Sequence, residues 1–314
     1  MLSYVLRRLL GVIPVMLVVG IFVFSLLHLA PGDPAANIAG DNATPENIAR
    51  IRTNLGLDRP LLEQFASWTW ASVRGDLGVS MFSGIPVTTL VQQRMGPTFS
   101  LAITTLVVAV SIAVTLGVLA AWKAGSLLDR AVMGLAVTGF SVPVFVVGYI
   151  MVYYVSLKWR WLPVQGYRPM AEGFGLWLSH LVLPSFALGL AYVALIARIT
   201  RASMLEVLAE DYIRTASAKG VSTMPMLLRH ALKNAAVPIV TVIGIGIALL
   251  ISGVVITESV FNIPGIGRLV VDAISRRDYP IIQGAMIIFA AVYVLINLAI
   301  DISYGFLDPR IRYN

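Results

Sequence analysis

The chain contains no cysteine, so disulfides and thiolate metal sites are both excluded. Histidine is nearly as scarce: His28, His180 and His230 lie far apart, and no metal site is expected from them. No Gly-Lys pair occurs anywhere. A phosphate-binding loop of the form G-x-x-x-x-G-K-[ST] requires one, so the chain cannot hold ATP in that manner. Charge is also in short supply. Asp, Glu, Lys and Arg make up 12% of the 314 residues, against about 25% in a soluble domain. Hydrophobic residues make up 58%, a surplus that a bilayer can use and a soluble surface cannot. Ion-coupled carriers place ionisable groups within their spans. Here Asp301 falls at the end of the last apolar stretch and Glu258 just past the one before it. Ser111, Ser141 and Ser185 are isolated, which suits bonding to helix carbonyls better than nucleophilic chemistry, and no catalytic residue is expected.

What the sequence has in abundance is apolar runs. About 20 apolar residues carry a helix across the hydrocarbon core. Six stretches qualify: Leu9–Leu29, Thr98–Trp122, Ala131–Leu157, Leu178–Ala197, Ala235–Thr257 and Pro280–Tyr304. Pro143, Pro184 and Pro238 lie in the third, fourth and fifth, where neighbouring helices can satisfy the freed carbonyls. Arg7 and Arg8 precede the first run, which is too long for a signal peptide and is followed by Pro31-Gly32-Asp33-Pro34 instead of a cleavage site. It reads as a retained anchor with a cytoplasmic N-terminus, and six crossings return the C-terminus to the same side.

The net charge of +7 fits this topology. The basic residues form no run of the kind that binds nucleic acid, and none is expected as a partner. Arg7, Arg8, Lys123, Arg130, Arg198, Arg201, Arg214, Lys219, Arg229, Lys233, Arg310 and Arg312 fall on the proposed inner side and outnumber those on the two later outer loops. The expected fold is an all-α integral membrane protein of six spans, with a small helical segment outside the membrane after the first.

That segment runs from Ala30 to Pro97. Thr44-Pro45-Glu46 predicts a helix start, with a hydroxyl cap, proline at the first position and an acid near the positive end. Ile48, Ile51 and Leu55 share one face and Gly56 is a fitting stop. A second helix is predicted from Pro60, with Leu61, Phe65 and Trp68 on one side, and a third after Pro86. Residues 1–96 are therefore expected to form the anchor and outer segment, and 97–314 the membrane core.

Between the fourth and fifth runs lies a stretch from Ala197 to Thr241 that is far more polar than its flanks. Connections in bundles typically take about 2–8 residues, so this one is long enough to need a task. Glu210-Asp211 precede a helical run from Tyr212 to Lys219, Gly220 can end it in the left-handed region, and Ser222 can cap a second helix containing Pro225. Met224, Met226, Leu227 and Leu228 would give that second helix an apolar side. The outcome is a helix–glycine–helix elbow, either resting on headgroups or seated in a partner's groove.

This elbow resembles the cytoplasmic loop of binding-protein-dependent ABC importers, whose pattern is E-A-A-x3-G-x9-I-x-L-P. With Gly220 as the glycine, Ala216 and Leu232 keep the pattern, while Arg214, Thr215, His230 and Lys233 depart from it. One branch fits closely: "EDYIRTASAKGVS" with "HALKNAAVP" is similar to the first (B-type) membrane subunit of the dipeptide/oligopeptide/nickel permeases. "YVLRRLLGVIP", "APGDPA", "LGLDRPLLEQF", "GDLGVS", "ITESVFNIPGIGRLVVDAISRRDYPIIQG" and "LDPRIRY" extend the likeness from end to end.

The resemblance implies a type I importer fold in a bacterial inner membrane. It implies a second permease subunit forming a heterodimer, two ATP-binding subunits that hold ATP and Mg, and a periplasmic solute-binding protein, with no cofactor on this chain. The implied cargo is a short peptide, with glutathione or a nickel chelate as alternative solutes and an ion-coupled carrier as the alternative class. The coupling loop, about 201–234, would dock on the ATPase through Glu210, Asp211, Tyr212, Arg214, Thr215, Ala216, Lys219 and Gly220, with Arg201 and Ser203 in second rank. Ser141, Phe145 and Tyr149 on the third span are expected to border the pathway.

Overall fold

The computed structural model describes residues 2–29, 33–39, 44–54 and 56–307. Leu55, Arg310 and Arg312 lie outside them. Among the described residues all regular structure is helical, apart from an isolated bridge between Val79 and Pro86. In chain order the helices are α1 (Leu2–Leu29), α2 (Pro34–Ala39), α3 (Pro45–Asn54), α4 (Leu61–Val73), α5 (Val87–Trp122), α6 (Leu127–Ser141) and α7 (Val144–Met151), which continues as a π-helix over Val152–Lys158. Then come a 3-10 helix over Met170–Glu172, α8 (Phe174–Leu208), α9 (Asp211–Ala218), α10 (Thr223–Pro225), a second π-helix over Met226–Ala231, α11 (Leu232–Asn234), α12 (Ala236–Val260), α13 (Ile266–Arg276) and α14 (Tyr279–Leu307).

Among the described residues four helices are long and apolar enough to cross a membrane alone, and up to six if two bent pairs each count as one. The third apolar run, expected as one span, is such a pair: α6 and the α7 helix meet at 105°. The cause is Pro143. It forces Val142 into an extended conformation (φ −92°, ψ 125°), which stops α6, and then serves as the residue before α7. By contrast Pro184 sits inside a continuous α8, and Pro238 falls in the first turn of α12, where no helical bond is lost.

The chain forms two compact units, one of Leu2–Gly96 with Gly265–Leu295, the other of Pro97–Pro264 with the chain from Ile296. In the first, Thr44 Oγ1 accepts the Asn47 N–H at 3.3 Å and caps α3 as its sequence predicts. At the other end Gly56 N–H donates to Thr53 O and Leu57 N–H to Arg52 O, both at 3.0 Å, the pair of hydrogen bonds of a glycine-ended helix. Arg52 donates to Asp33 Oδ2 at 2.6 Å, tying α3 to the start of α2. Phe65 and Trp68 of α4 pack on Phe24 of α1 with ring centroids 5.4 and 5.7 Å away, while Leu61 stays exposed. The helix expected after Pro86 is not separate: it is the first part of α5, which runs through Gly96-Pro97 without a break. Val87, Val91, Ile266, Leu269, Ala273, Ile281 and Ala285 form this unit's core. The Ser80 hydroxyl donates to the buried Asp278 carboxylate at 2.6 Å.

The second unit has two cores. Leu101, Leu181, Leu183, Leu188, Ile196, Leu250 and Val254 fill one, between α5, α8 and α12. Val118, Ala121, Met204, Ile213, Leu227, Ala231, Ala235 and Ile239 fill the other, and this second core joins the elbow to the bundle.

Candidate functional site

The elbow forms much as its local signals dictate. α9 opens after Glu210 with Asp211 in its first turn, near the positive helix end. It stops at Gly220, whose φ is +85°; Gly220 N–H bonds Ser217 O at 3.0 Å and Val221 N–H bonds Ala216 O at 3.2 Å. Ser222 holds the position before the next helix, yet its side chain makes no capping bond. That helix is short, then widens into the π-helix over Met226–Ala231.

Burial divides the elbow into two faces. Ile213 (4% exposed) and Leu227 (2%) are driven into the second core beside Ala231. Burying side chains of this size is worth about 1.5–3 kcal/mol each, so the elbow is rooted in the bundle. The opposite face is open: Glu210, Asp211, Tyr212, Arg214, Thr215, Lys219 and Gly220 are exposed and Ala216 is half-buried. Arg214 reaches Asp211 at 3.6 Å, a surface pair of little energetic weight. The apolar side expected of the second helix is split, with Met226 and Leu227 turned inward and Met224 and Leu228 exposed.

The two second-rank residues lie elsewhere. Ser203 is buried at 7% exposure. Arg201 points into the unit, where its Nε and Nη2 donate to the two carboxylate oxygens of Asp129 at 2.5 and 2.7 Å. The Asp129 side chain is 5% exposed, and its Oδ2 also accepts the Gly125 N–H at 2.9 Å. The available signal for this aspartate was the S-x-x-D spacing of Ser126 and Asp129, a helix-start signature; Ser126 does cap α6. Its arginine partner, 72 residues away, has no such signal.

Ser141, Phe145 and Tyr149 surround the α6–α7 break. The Ser141 hydroxyl donates to Val137 O at 2.9 Å, and Phe145 and Tyr149, one turn apart on α7, are 45% and 59% exposed. Ser141 lines a cavity of about 200 Å³ with Phe140, Leu195 and Arg198. Glu258 lies within α12, not beyond it; it is fully buried and accepts the Thr98 hydroxyl at 2.6 Å. Among the described residues no group of acids or histidines is arranged to hold a metal.

Residues 113–313 match the family model of the binding-protein-dependent transport system inner membrane component, and residues 1–102 match the model of the N-terminal part of such membrane components. The chain is 56% identical over 310 residues to the probable peptide ABC transporter permease protein y4tP of Sinorhizobium fredii, covering 99% of each. It is 40% identical to the dipeptide transport system permease protein DppB of Escherichia coli K12, over 100% of this chain and 99% of that one. It is 44% identical to the glutathione transport system permease protein GsiC of the same strain, over the full length of both. Among solved structures, an amino acid ABC transporter crystallised with histidines aligns with a TM-score of 0.47 at 16% identity, over 71% of this chain and 94% of that one.

Proposed function

The chain belongs to the binding-protein-dependent transport system inner membrane components, and on that premise we propose that it is the permease subunit of an ATP-driven importer of short peptides. The observation that carries the reading is the two-faced elbow: one side anchored by Ile213 and Leu227, the other a polar surface left exposed among the described residues. Such a surface fits a groove on a separate motor. The full-length likeness to relatives named for peptide, dipeptide and glutathione transport supports the cargo class, and glutathione, itself a peptide, falls within it.

In this reading the chain pairs with a second permease subunit, and the elbow faces the cytoplasm with both termini. Two ATP-binding subunits supply nucleotide and Mg, since this sequence has no phosphate loop. An external solute-binding protein delivers the peptide. Closure of the motor subunits pushes on α9, and α8, continuous over 35 residues, carries that push into the bundle. At about 1.5 Å per residue α8 measures roughly 50 Å, longer than the ~30 Å hydrocarbon core, so its last turns stand clear of the membrane. Ser141, Phe145 and Tyr149 then border the pathway at the α6–α7 break.

The absence of native cysteine makes a direct test simple. Tyr212→Cys and Lys219→Cys in the assembled transporter should each cross-link to an ATP-hydrolysing chain, and Glu172→Cys on an outer loop should not. An elbow that cross-links to nothing, in a complex that still imports peptide, would overturn the reading.

A further inference from the structure

We propose that Asp129 and Arg201 are the positioning residues that carry the motor's stroke from the elbow to the pathway, by locking α6 to α8. The inference rests on the coupling role proposed for α9.

Arg201 stands seven residues before the end of α8, about 10 Å from it along the axis. Only Ala209 and Glu210 separate that end from α9. A displacement of α9 therefore reaches the half-buried Arg201 before it reaches the buried Glu258 far along α12. Asp129 lies in the first turn of α6, whose far end is the break at Val142–Pro143 leading to Phe145 and Tyr149. The pair thus links the helix that receives the stroke to the helix that ends at the pathway.

The chemistry suits a fixed joint. Both carboxylate oxygens of Asp129 receive the guanidinium, through Nε and Nη2 at 2.5 and 2.7 Å. A planar two-point contact sets direction as well as distance, which a lysine or an apolar contact does not. The Gly125 N–H on Oδ2 holds the carboxylate from the side of the α5–α6 turn. Much of the remaining α6–α8 contact is apolar: Gly139 lies against Leu190, and Val132, Leu135 and Ala136 line one cavity with Phe186, Leu190 and Val193. Such contacts hold the helices together but fix no direction of their own. The ion pair does, and parting its members leaves a buried carboxylate without its cation. The placement also explains why Arg201 is turned away from the docking face.

The test reads movement at the pathway without needing a solute. In the assembled transporter, Tyr149→Cys provides the sole thiol of this chain. Its labelling rate by a membrane-impermeant maleimide is measured with and without ATP–vanadate trapping. With the pair intact, trapping should change the rate several-fold. Asp129→Asn and Arg201→Gln should each abolish that change while the complex still assembles and traps nucleotide. The charge exchange, Asp129→Arg with Arg201→Asp, should restore at least part of it. A change that persists in both single variants overturns the proposal and leaves the coupling role of α9 standing. Loss of assembly or trapping in the single variants, with no recovery on exchange, makes the pair a purely structural clamp and also overturns it. No change even with the pair intact removes the coupling reading itself, and the proposal with it.

Discussion

Gly220 and Gly117 show how differently two glycines can be required. Gly220 sits at φ +85°, and a Cβ there would meet nothing within 4 Å. The cost of substitution is therefore backbone strain, about 1–2 kcal/mol for a side chain in the left-handed region, and it falls on the turn alone. Gly220→Val is expected to insert normally but to lose association with the ATP-binding subunits and peptide uptake, read by co-purification and transport. Gly220→Asn, which tolerates the left-handed region, should keep more of both. Normal uptake by the valine variant would count heavily against the elbow's role. At Gly117 the obstacle is packing. A Cβ would stand 2.6 Å from Thr200 Cβ and 2.8 Å from the Ala197 carbonyl oxygen, neither of which is the free end of a side chain. Gly117→Ala should cost about 1–3 kcal/mol through overpacking of α5 on α8. It should lower the detergent melting temperature of the chain.

At the scale of elements, α9 depends on its single inward residue. Ile213→Ala should remove about 2–5 kcal/mol of anchoring, since the second core would keep the hole. Hydrogen exchange should then rise through Asp211–Ala218 and uptake should fall. Arg214→Ala on the outer face should leave exchange alone, because its pair with Asp211 is a solvated one. If exchange at α9 were unmoved by Ile213→Ala, the elbow would have another anchor. The elbow was readable in the sequence because every signal that builds it is local: the acids at its start, the glycine at its end, and its polarity against apolar flanks. The α3 and α4 helices were readable for the same reason. The bend at Pro143 was not, because an apolar run with one proline reads alike whether the helix continues, as at Pro184, or breaks. The fusion of the predicted third outer helix with α5 was hidden by Gly96-Pro97, a stop signal that the helix overrides. The π-helices over Val152–Lys158 and Met226–Ala231 have apolar patterns too close to those of an α-helix to be told apart. Arg201 reads as a docking residue in the sequence because nothing local announces a partner 72 residues away.

For the molecule as a whole, the placement of charge decides between a subunit that needs a motor and a carrier that works alone. A proton-coupled carrier requires acids that are free to exchange protons along the pathway. Asp129 is gripped at both oxygens by Arg201 and again by the Gly125 amide. Glu258 is fully buried and holds the Thr98 hydroxyl. Ser141, Phe145 and Tyr149 at the α6–α7 break include no carboxylic acid, and the charged residue that shares the Ser141 cavity is Arg198, a base and not an acid. The purified chain alone, reconstituted in liposomes with a labelled dipeptide outside and an imposed pH gradient, should therefore accumulate none of it. It should also hydrolyse no ATP, having no loop to bind the phosphates. Addition of the second permease subunit, the ATP-binding pair and the solute-binding protein should establish ATP-dependent uptake. Gradient-driven uptake by the chain alone would show that protons move through these spans after all. The elbow would then be a membrane-surface helix, and the likeness to importer permeases would extend to the fold without the energy source.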